Sequence, residues 1–375
     1  MKPIGIAAVG DVLDINCWSN IPFYFYHAGN RAGIFTQPWS LEVNRFSTAR
    51  KLWNLRQLAL GRDAGGFQYS RSFLEQAEAQ IPKDYFASTV ITFNQLFPRA
   101  QRVVNAGGKI YYYIDSTLAD LFREPAYKIH IPARMKRLAL EQERENYYAA
   151  DAVVSMGSWV HQSLRDDYQL PASRIHQILP GANIDLLPEY QPIPFLPGAG
   201  KQRQLVLGFI GKDWKRKGLP VILEIQDELT RLGHRVNVKV IGNCPDELKT
   251  RRNLTYTGFI DKQTQSALFI DAISSCDLGC LFSSSEALGI STLEFLRVGV
   301  PVIGYNHQGL RDTLMEGASM RFDTAIQSSK IAKQISDLIG NEKRFREMKM
   351  HAIALRNTVT WNDTIMKWKT LLNHD

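Results

Sequence analysis

Residues 277–306 read DLGCLFSSSEALGISTLEFLRVGVPVIGYN, and the fold follows from this stretch. Asp277 to Ser283 (DLGCLFS) has the apolar, β-rich look of a buried strand. Val300 to Asn306 (VPVIGYN) reads as a second strand. A short helix starting near Gly289 joins them, so the three pieces form one parallel strand–helix–strand unit. Glu286 and Glu294 stand eight residues apart in it. Glu286 lies in the loop after the first strand, and Glu294 about one turn into the helix. Gly289, Ile290 and Ser291 fall where the helix begins, where free backbone N–H groups bind phosphate oxygens. A carboxylate on either side can accept from sugar hydroxyls. The arrangement suits a diphosphate flanked by two sugars, the chemistry of a nucleotide sugar.

The same alternation extends through the second half of the chain. Leu205 to Gly211 (LVLGFIG), Val236 to Gly242 and Leu254 to Phe259 read as strands. Leu219 to Leu232 and Lys262 to Ser274 read as helices. Such alternation predicts a parallel sheet with helices on both faces. Ile326 to Ile339, Glu342 to Arg356 and Asp363 to Leu372 finish as helices. Between the strand 205–211 and its helix lies Lys212-Asp213-Trp214-Lys215-Arg216-Lys217-Gly218, five charges within six residues. A charge run is ordinarily a solvated face. This one sits at a strand's carboxyl end just before a helix, which points instead to phosphate. Lysine offers a point charge and arginine a bidentate fork.

Composition sets the outer bounds. The 375 residues suggest two or three domains at about 100–200 residues each. With 45% hydrophobic and 22% charged residues, the composition is that of an ordinary soluble chain. No apolar run approaches a membrane span. The apolar start at Ile4 is too short for a signal peptide and runs into Gly10-Asp11. The four cysteines, Cys17, Cys244, Cys276 and Cys280, are too few for a disulfide framework and lack zinc-site spacing. They are expected as reduced, buried thiols in a cytoplasmic protein. The formal charge of +8 is mostly spread thin, except in one window. Residues 31–71 hold Arg31, Arg45, Arg50, Lys51, Arg56, Arg62 and Arg71 against Glu42 and Asp63. Trp39, Phe46, Trp53, Phe67 and Tyr69 are interleaved. That is the composition of a surface meeting anionic groups, and an anionic membrane is the expected one.

The first half opens with a strand, Ile4 to Gly10. A loop, Asp11 to Asn20, leads into a helix from Ile21 to Gly29 with Pro22 at a tolerated early position. Residues 41–80 read as mainly helical, with Leu52, Leu55, Leu58 and Ala59 at helical spacing. Ser88 to Phe97 and Lys109 to Asp115 read as core strands. Asp115 ends the second, at the strand edge where open α/β sheets bind ligands. A helix, Arg134 to Ala150, then a strand, Asp151 to Ser155, a helix, Ser158 to Tyr168, and a short strand, Ile175 to Leu179, complete this half. The charges here, Glu143 and Asp151 among them, read as solvated or structural. Residues 188–204 (PEYQPIPFLPGAGKQRQ) carry four prolines and two glycines and read as a linker.

The Glu-x7-Glu spacing enclosing G-I-S-T-L-E, followed by G-V-P-V-I-G, resembles the retaining glycosyltransferases of the GT4 family. The 212–218 loop resembles that family's phosphate loop. E-x7-A-D-x-V-V-S followed by P-G-A-N-I-D (Glu143 to Asp185) resembles the segment that closes its first domain. Cys17 to Pro22 resembles its loop facing the donor phosphates, with Asn20 where glycine is usual. The resemblance implies a GT-B fold: two Rossmann-like parallel-sheet domains, residues 1–187 binding acceptor and 205–360 binding the nucleotide sugar. The linker 188–204 lies between them, and a C-terminal helix, 361–375, crosses back onto the first domain.

It implies roles as well. Lys217 and Arg216, with Lys212, stabilise the leaving nucleoside diphosphate. Glu286 contacts hydroxyls of the transferred sugar. Glu294 accepts from the ribose. Amides of Gly289, Ile290 and Ser291 join the phosphate cradle, and Gly258 and Phe259 face the base. Attack on the leaving-group face needs no enzymic nucleophile, no metal and no cofactor beyond the donor. Asp115 stands where relatives often carry histidine and could hold a hydroxyl. His307 lies in a loop near the phosphates. The acceptor is a hydroxyl of a lipid, polysaccharide or small molecule, and no nucleic acid partner is expected. The setting is cytoplasmic, with residues 31–71 able to bring the protein to the inner membrane's surface. Two other readings stand beside this one. The first is a membrane- or nucleic-acid-binding protein with a vestigial transferase site. The second is an epimerase or phosphorylase on the same fold.

Overall fold

The computed structural model describes residues 4–42, 46–127 and 129–374; Arg45 of the basic window lies outside them. Two compact units result, Met1–Leu179 with Thr364–Asp375, and Pro180–Asp363. The proline-rich stretch 188–204 falls within the second.

The first unit is built on a six-stranded sheet of β1 (Ile4–Val9), β2 (Gln37–Leu41), β3 (Thr89–Thr92), β4 (Lys109–Ile114), β5 (Ala152–Ser155) and β6 (Ile175–Gln177). Its order is β2-β1-β3-β4-β5-β6, every pair parallel. Sequence reasoning placed helix over 41–80 and missed β2. The strand QPWSL contains Pro38, which a sheet tolerates only on an edge, and β2 is the edge strand. The strand expected over 88–97 stops at Thr92. There the Thr92 hydroxyl donates to the Phe97 carbonyl at 2.6 Å and folds the chain into a turn.

The helical spacing of Leu52, Leu55 and Leu58 is real, within a helix Ser47–Ala59. These leucines do not pack inward. The inner face is Trp53, its ring tilted against Phe67 at 5.9 Å, and Gln57, only 5% exposed. The final helix, Trp361–His374, joins this unit from Thr364 onward. Trp368 is fully buried and meets Tyr113 edge-on at 5.1 Å, with Tyr111 and Phe25 around it.

The second unit holds β7 (Leu205–Gly211), β8 (Val236–Gly242), β9 (Leu254–Gly258), β10 (Leu278–Leu281), β11 (Val302–Tyr305) and β12 (Ser319–Phe322). All pairs are again parallel, in the order β12-β11-β10-β7-β8-β9. Leu207, Phe209, Val238, Val240, Leu278 and Ile303 are fully buried, as strands covered on both faces require. The chain order reverses between β7 and β10. Crevices at such a switch point, outside the strands' carboxyl ends, are where open α/β sheets bind ligands. The helix expected over 262–274 begins only at Ser266.

Cys17, Cys276 and Cys280 are buried, Cys244 partly so, and none is bridged. Among the described residues no helix is long and apolar enough to cross a membrane.

Candidate functional site

Two loops leave the switch point and fold onto each other. The first, after β7, is tightened by the Lys217 N–H donating to Asp213 O (3.0 Å) and the Gly218 N–H to Lys215 O (3.1 Å). Gly218 has φ +82°, and a Cβ there would lie 2.1 Å from the Phe282 carbonyl oxygen. Glycine therefore lets this loop close on the end of β10. The second loop answers with the Ser284 N–H donating to Arg216 O at 2.8 Å.

Glu286 is drawn into the middle of this junction. Its Oε2 lies 3.3 Å from Lys217 Nζ and 3.4 Å from Arg216 Nη1, and accepts from Ser283 Oγ at 3.2 Å. Arg216 also donates to the Ser285 carbonyl at 2.6 Å and leans on Asp213 at 3.3 Å. Burial pushes the Glu286 carboxyl up. The Lys217 and Arg216 charges and two hydrogen bonds outweigh it and hold the group below its ordinary value. Lys217, Arg216 and Glu286, expected from their motifs, thus sit together.

Two residues that sequence reasoning gave no role, or a different one, hold the loop from behind. Gln308 Oε1 accepts from the Glu286 N–H (2.7 Å) and Ser285 Oγ (3.1 Å). His307 donates from Nε2 to the Ser283 carbonyl at 2.8 Å, so it braces the loop. The Gly309 N–H donates to Glu286 O at 3.1 Å.

The helix Ile290–Arg297 begins at Gly289, whose φ of +85° turns the chain into it. The amides of Gly289, Ile290 and Ser291 lack intrahelical partners by geometry, while the Thr292 N–H donates to Gly289 O at 3.0 Å. Ser291 Oγ is buried with no hydrogen-bond partner among the described residues, an orphaned donor that a phosphate oxygen would satisfy. Glu294 is 2% exposed and already engaged, in a close ion pair with Lys262. Lys262 also stands 4.5 Å over the Phe269 ring. Burial raises the Glu294 carboxyl, and Lys262 and Lys217 only partly offset that. Lys262 went unnoticed because nothing in a 32-residue separation signals the contact. Its one clue was its position just past the end of β9. There Gly258 adopts φ +77°, and Phe259 stands 52% exposed with the Lys212 ammonium 4.9 Å above its ring.

Asp115 belongs to the first unit. It follows β4 and accepts from Ser116 Oγ at 2.9 Å. At that unit's own switch point, the loop after β1 places Trp18, Ser19 and Asn20 at φ of 32°, 57° and 67°. Non-glycine residues in this region cost on the order of 1–3 kcal/mol each, and such strain gathers at functional sites. Asn20 itself is left-handed, a conformation asparagine tolerates better than most residues. Glu143 is structural. It is fully buried and accepts from Tyr147 Oη (2.6 Å), Tyr168 Oη and the Leu118 N–H (2.9 Å).

Residues 198–354, which contain both loops, match the family described as "Glycosyl transferases group 1". This stretch is a group 1 glycosyltransferase domain. Among curated relatives, an alpha-D-kanosaminyltransferase of Streptomyces kanamyceticus is 24% identical over 221 residues, 57% of each chain. A D-inositol 3-phosphate glycosyltransferase of Nocardia farcinica is 23% identical over 283 residues, 65% of this chain and 60% of that one. The chain thus matches about three fifths of these relatives' length. In fold the likeness runs over the whole chain. Anabaena HepE, solved with UDP and glucose, superposes with a TM-score of 0.66 at 13% identity over 100% of both chains. The matched stretch thus lies within a GT-B fold of two parallel six-stranded sheets.

Proposed function

We propose that the protein transfers a hexosyl group from a nucleotide sugar to a hydroxyl acceptor, with retention at the anomeric carbon and without a metal. The observation that supports this most is the convergence of Lys217, Arg216 and Glu286 at the β7/β10 switch point, beside a helix N-terminus with an orphaned Ser291 hydroxyl. Two cations and a set of free amides suit a diphosphate, and carboxylates beside them suit sugar hydroxyls.

In this reading the bond between the sugar's anomeric carbon and the diphosphate oxygen breaks. The electron pair leaves with the nucleoside diphosphate. Lys217 and Arg216 stabilise that charge, with Lys212 and the amides of Gly289, Ile290 and Ser291. The acceptor hydroxyl attacks from the same face, and its proton passes to the departing phosphate oxygen. Glu286, kept ionised by its cations, holds hydroxyls of the sugar in transfer. Glu294 takes the ribose once Lys262 yields its place. Phe259 offers its exposed face to the base, beside Gly258. Asp115 holds an acceptor hydroxyl. HepE was solved with UDP and glucose, so uridine donors are tested first.

The test is release of nucleoside diphosphate from a panel of uridine, adenosine and guanosine sugars, with and without EDTA. Anomeric configuration of the product is read by NMR. Release that survives EDTA and yields a retained product is expected. An inverted product, or turnover abolished by EDTA, contradicts the mechanism. Product formed only with added phosphate, or an epimerised donor, favours a phosphorylase or epimerase.

A further inference from the structure

The helix Ser47–Ala59 is anchored by one face only. Trp53 packs against Phe67, Asn54 Oδ1 accepts from the Gly65 N–H at 3.1 Å, and Gln57 Oε1 accepts from Arg134 Nη2 at 2.9 Å. The opposite face, and the residue that follows the helix, carry Leu52, Leu55, Leu58 and Leu60, which expose 62, 62, 58 and 54% of their surface. Single exposed leucines need no explanation, but four within nine residues form a ridge. At 100° per residue Leu52, Leu55 and Ala59 share one stripe, with Leu58 at its margin. Lys51 and Arg56 flank that stripe, both exposed; Arg50 is exposed as well but projects from the opposite side. Arg62 and Asp63, just past the helix, are exposed too.

We propose that this helix docks on an anionic lipid bilayer, lying in the interface with its leucines among the acyl chains. Charge selects the occupant. From Phe46 to Gly61 the chain holds three cations and no carboxylate, which suits a phosphate-rich surface. Their long stems let the charges reach the headgroups while the leucines go deeper. Protein-binding patches are depleted in lysine and rich in exposed aromatics, whereas the only aromatic on this helix, Trp53, faces inward. The proposal goes beyond the transferase reading and does not depend on it.

The experiment is flotation of the full chain with vesicles of phosphatidylcholine, alone or with 30–40% phosphatidylglycerol (about that range), at low and high salt. Binding to the anionic vesicles and not the neutral ones is expected, weakening with salt. The triple variant Leu52→Ser/Leu55→Ser/Leu58→Ser alters only solvent-facing side chains. It is expected to lose roughly tenfold in partitioning per leucine. Lys51→Gln/Arg56→Gln is expected to lose roughly fivefold per charge. Thermal melting and nucleotide-sugar binding of both variants are expected to match the parent. No flotation of the parent, or equal flotation of the leucine variant, overturns the proposal. So does a dimer that dissociates in the triple variant, which would make the ridge a contact between copies. Donor binding is measured separately, so failure of one reading leaves the other standing.

Discussion

Replacing Lys217 by alanine tests the leaving-group assignment at its centre. Lys217 Nζ lies 3.3 Å from Glu286 Oε2, with side-chain exposures of 18% and 12%. At an effective dielectric constant of about 20 that attraction is roughly 5 kcal/mol before desolvation. Arg216, 3.4 Å from the same oxygen, remains in the variant. Glu286 therefore keeps one cation, and the stability cost should be only about 1–2 kcal/mol, well short of a stranded buried charge. Catalysis should suffer far more. A donor aimed at charge that develops on the leaving group is worth on the order of 10²–10³ in turnover. The Glu286 carboxyl should also rise, because Lys217 is the largest influence holding it down. The assay is turnover at saturating donor beside a thermal melt, with Lys217→Arg as the charge-retaining control. Turnover of Lys217→Ala within about threefold of the parent, in a folded protein, refutes the assignment.

Other consequences follow from the same geometry. Phe259→Ala removes a half-exposed ring and should leave melting unchanged. By calorimetry it should weaken nucleotide binding by about 1–3 kcal/mol, the usual worth of stacking a base. Gly309→Ala carries no backbone strain, but its Cβ would sit 1.9 Å from the Ala287 carbonyl oxygen. The 284–288 loop must then shift, and donor affinity should fall while the circular dichroism spectrum holds. Burial, working against three hydrogen bonds, pushes Glu143 to about 7 from 4.5. The folded protein then holds a proton that the unfolded chain releases. That stabilisation is full below pH 4.5 and is lost as pH rises through about 7, a change on the order of 3 kcal/mol. Glu143→Gln should flatten denaturant-measured stability between pH 5 and 8. Glu286 acts with the opposite sign: its contribution is present above the ordinary carboxylate range and is lost as pH falls through its lowered value.

The second unit was legible because its central strands, β7, β8, β10 and β11, are nearly continuous apolar runs, as strands buried on both faces read. The edges were not. β2 contains Pro38, and β12 is four residues with one buried side chain. Each pairs on one side only, so neither needs an apolar run. Helical period was readable at 47–59, but period alone does not say which face meets the core. Trp53 and Gln57 go inward, and the leucines whose spacing marked the helix face outward. In the candidate site, Lys217, Arg216 and Glu286 came from motifs whose spacing is local. Lys262 and Gln308 did not, because tertiary turns bring them to Glu294 and Glu286.

The most direct test is calorimetric titration of UDP-glucose, UDP-galactose, UDP-GlcNAc, ADP-glucose and GDP-mannose, without acceptor or metal. The parent is compared with Glu294→Ala and with Glu294→Ala/Lys262→Ala, which avoids stranding the Lys262 ammonium. The account predicts one clear binder, lost in both variants while they stay folded. Binding that survives in the folded double variant, or no binding of any donor to the folded parent, contradicts it.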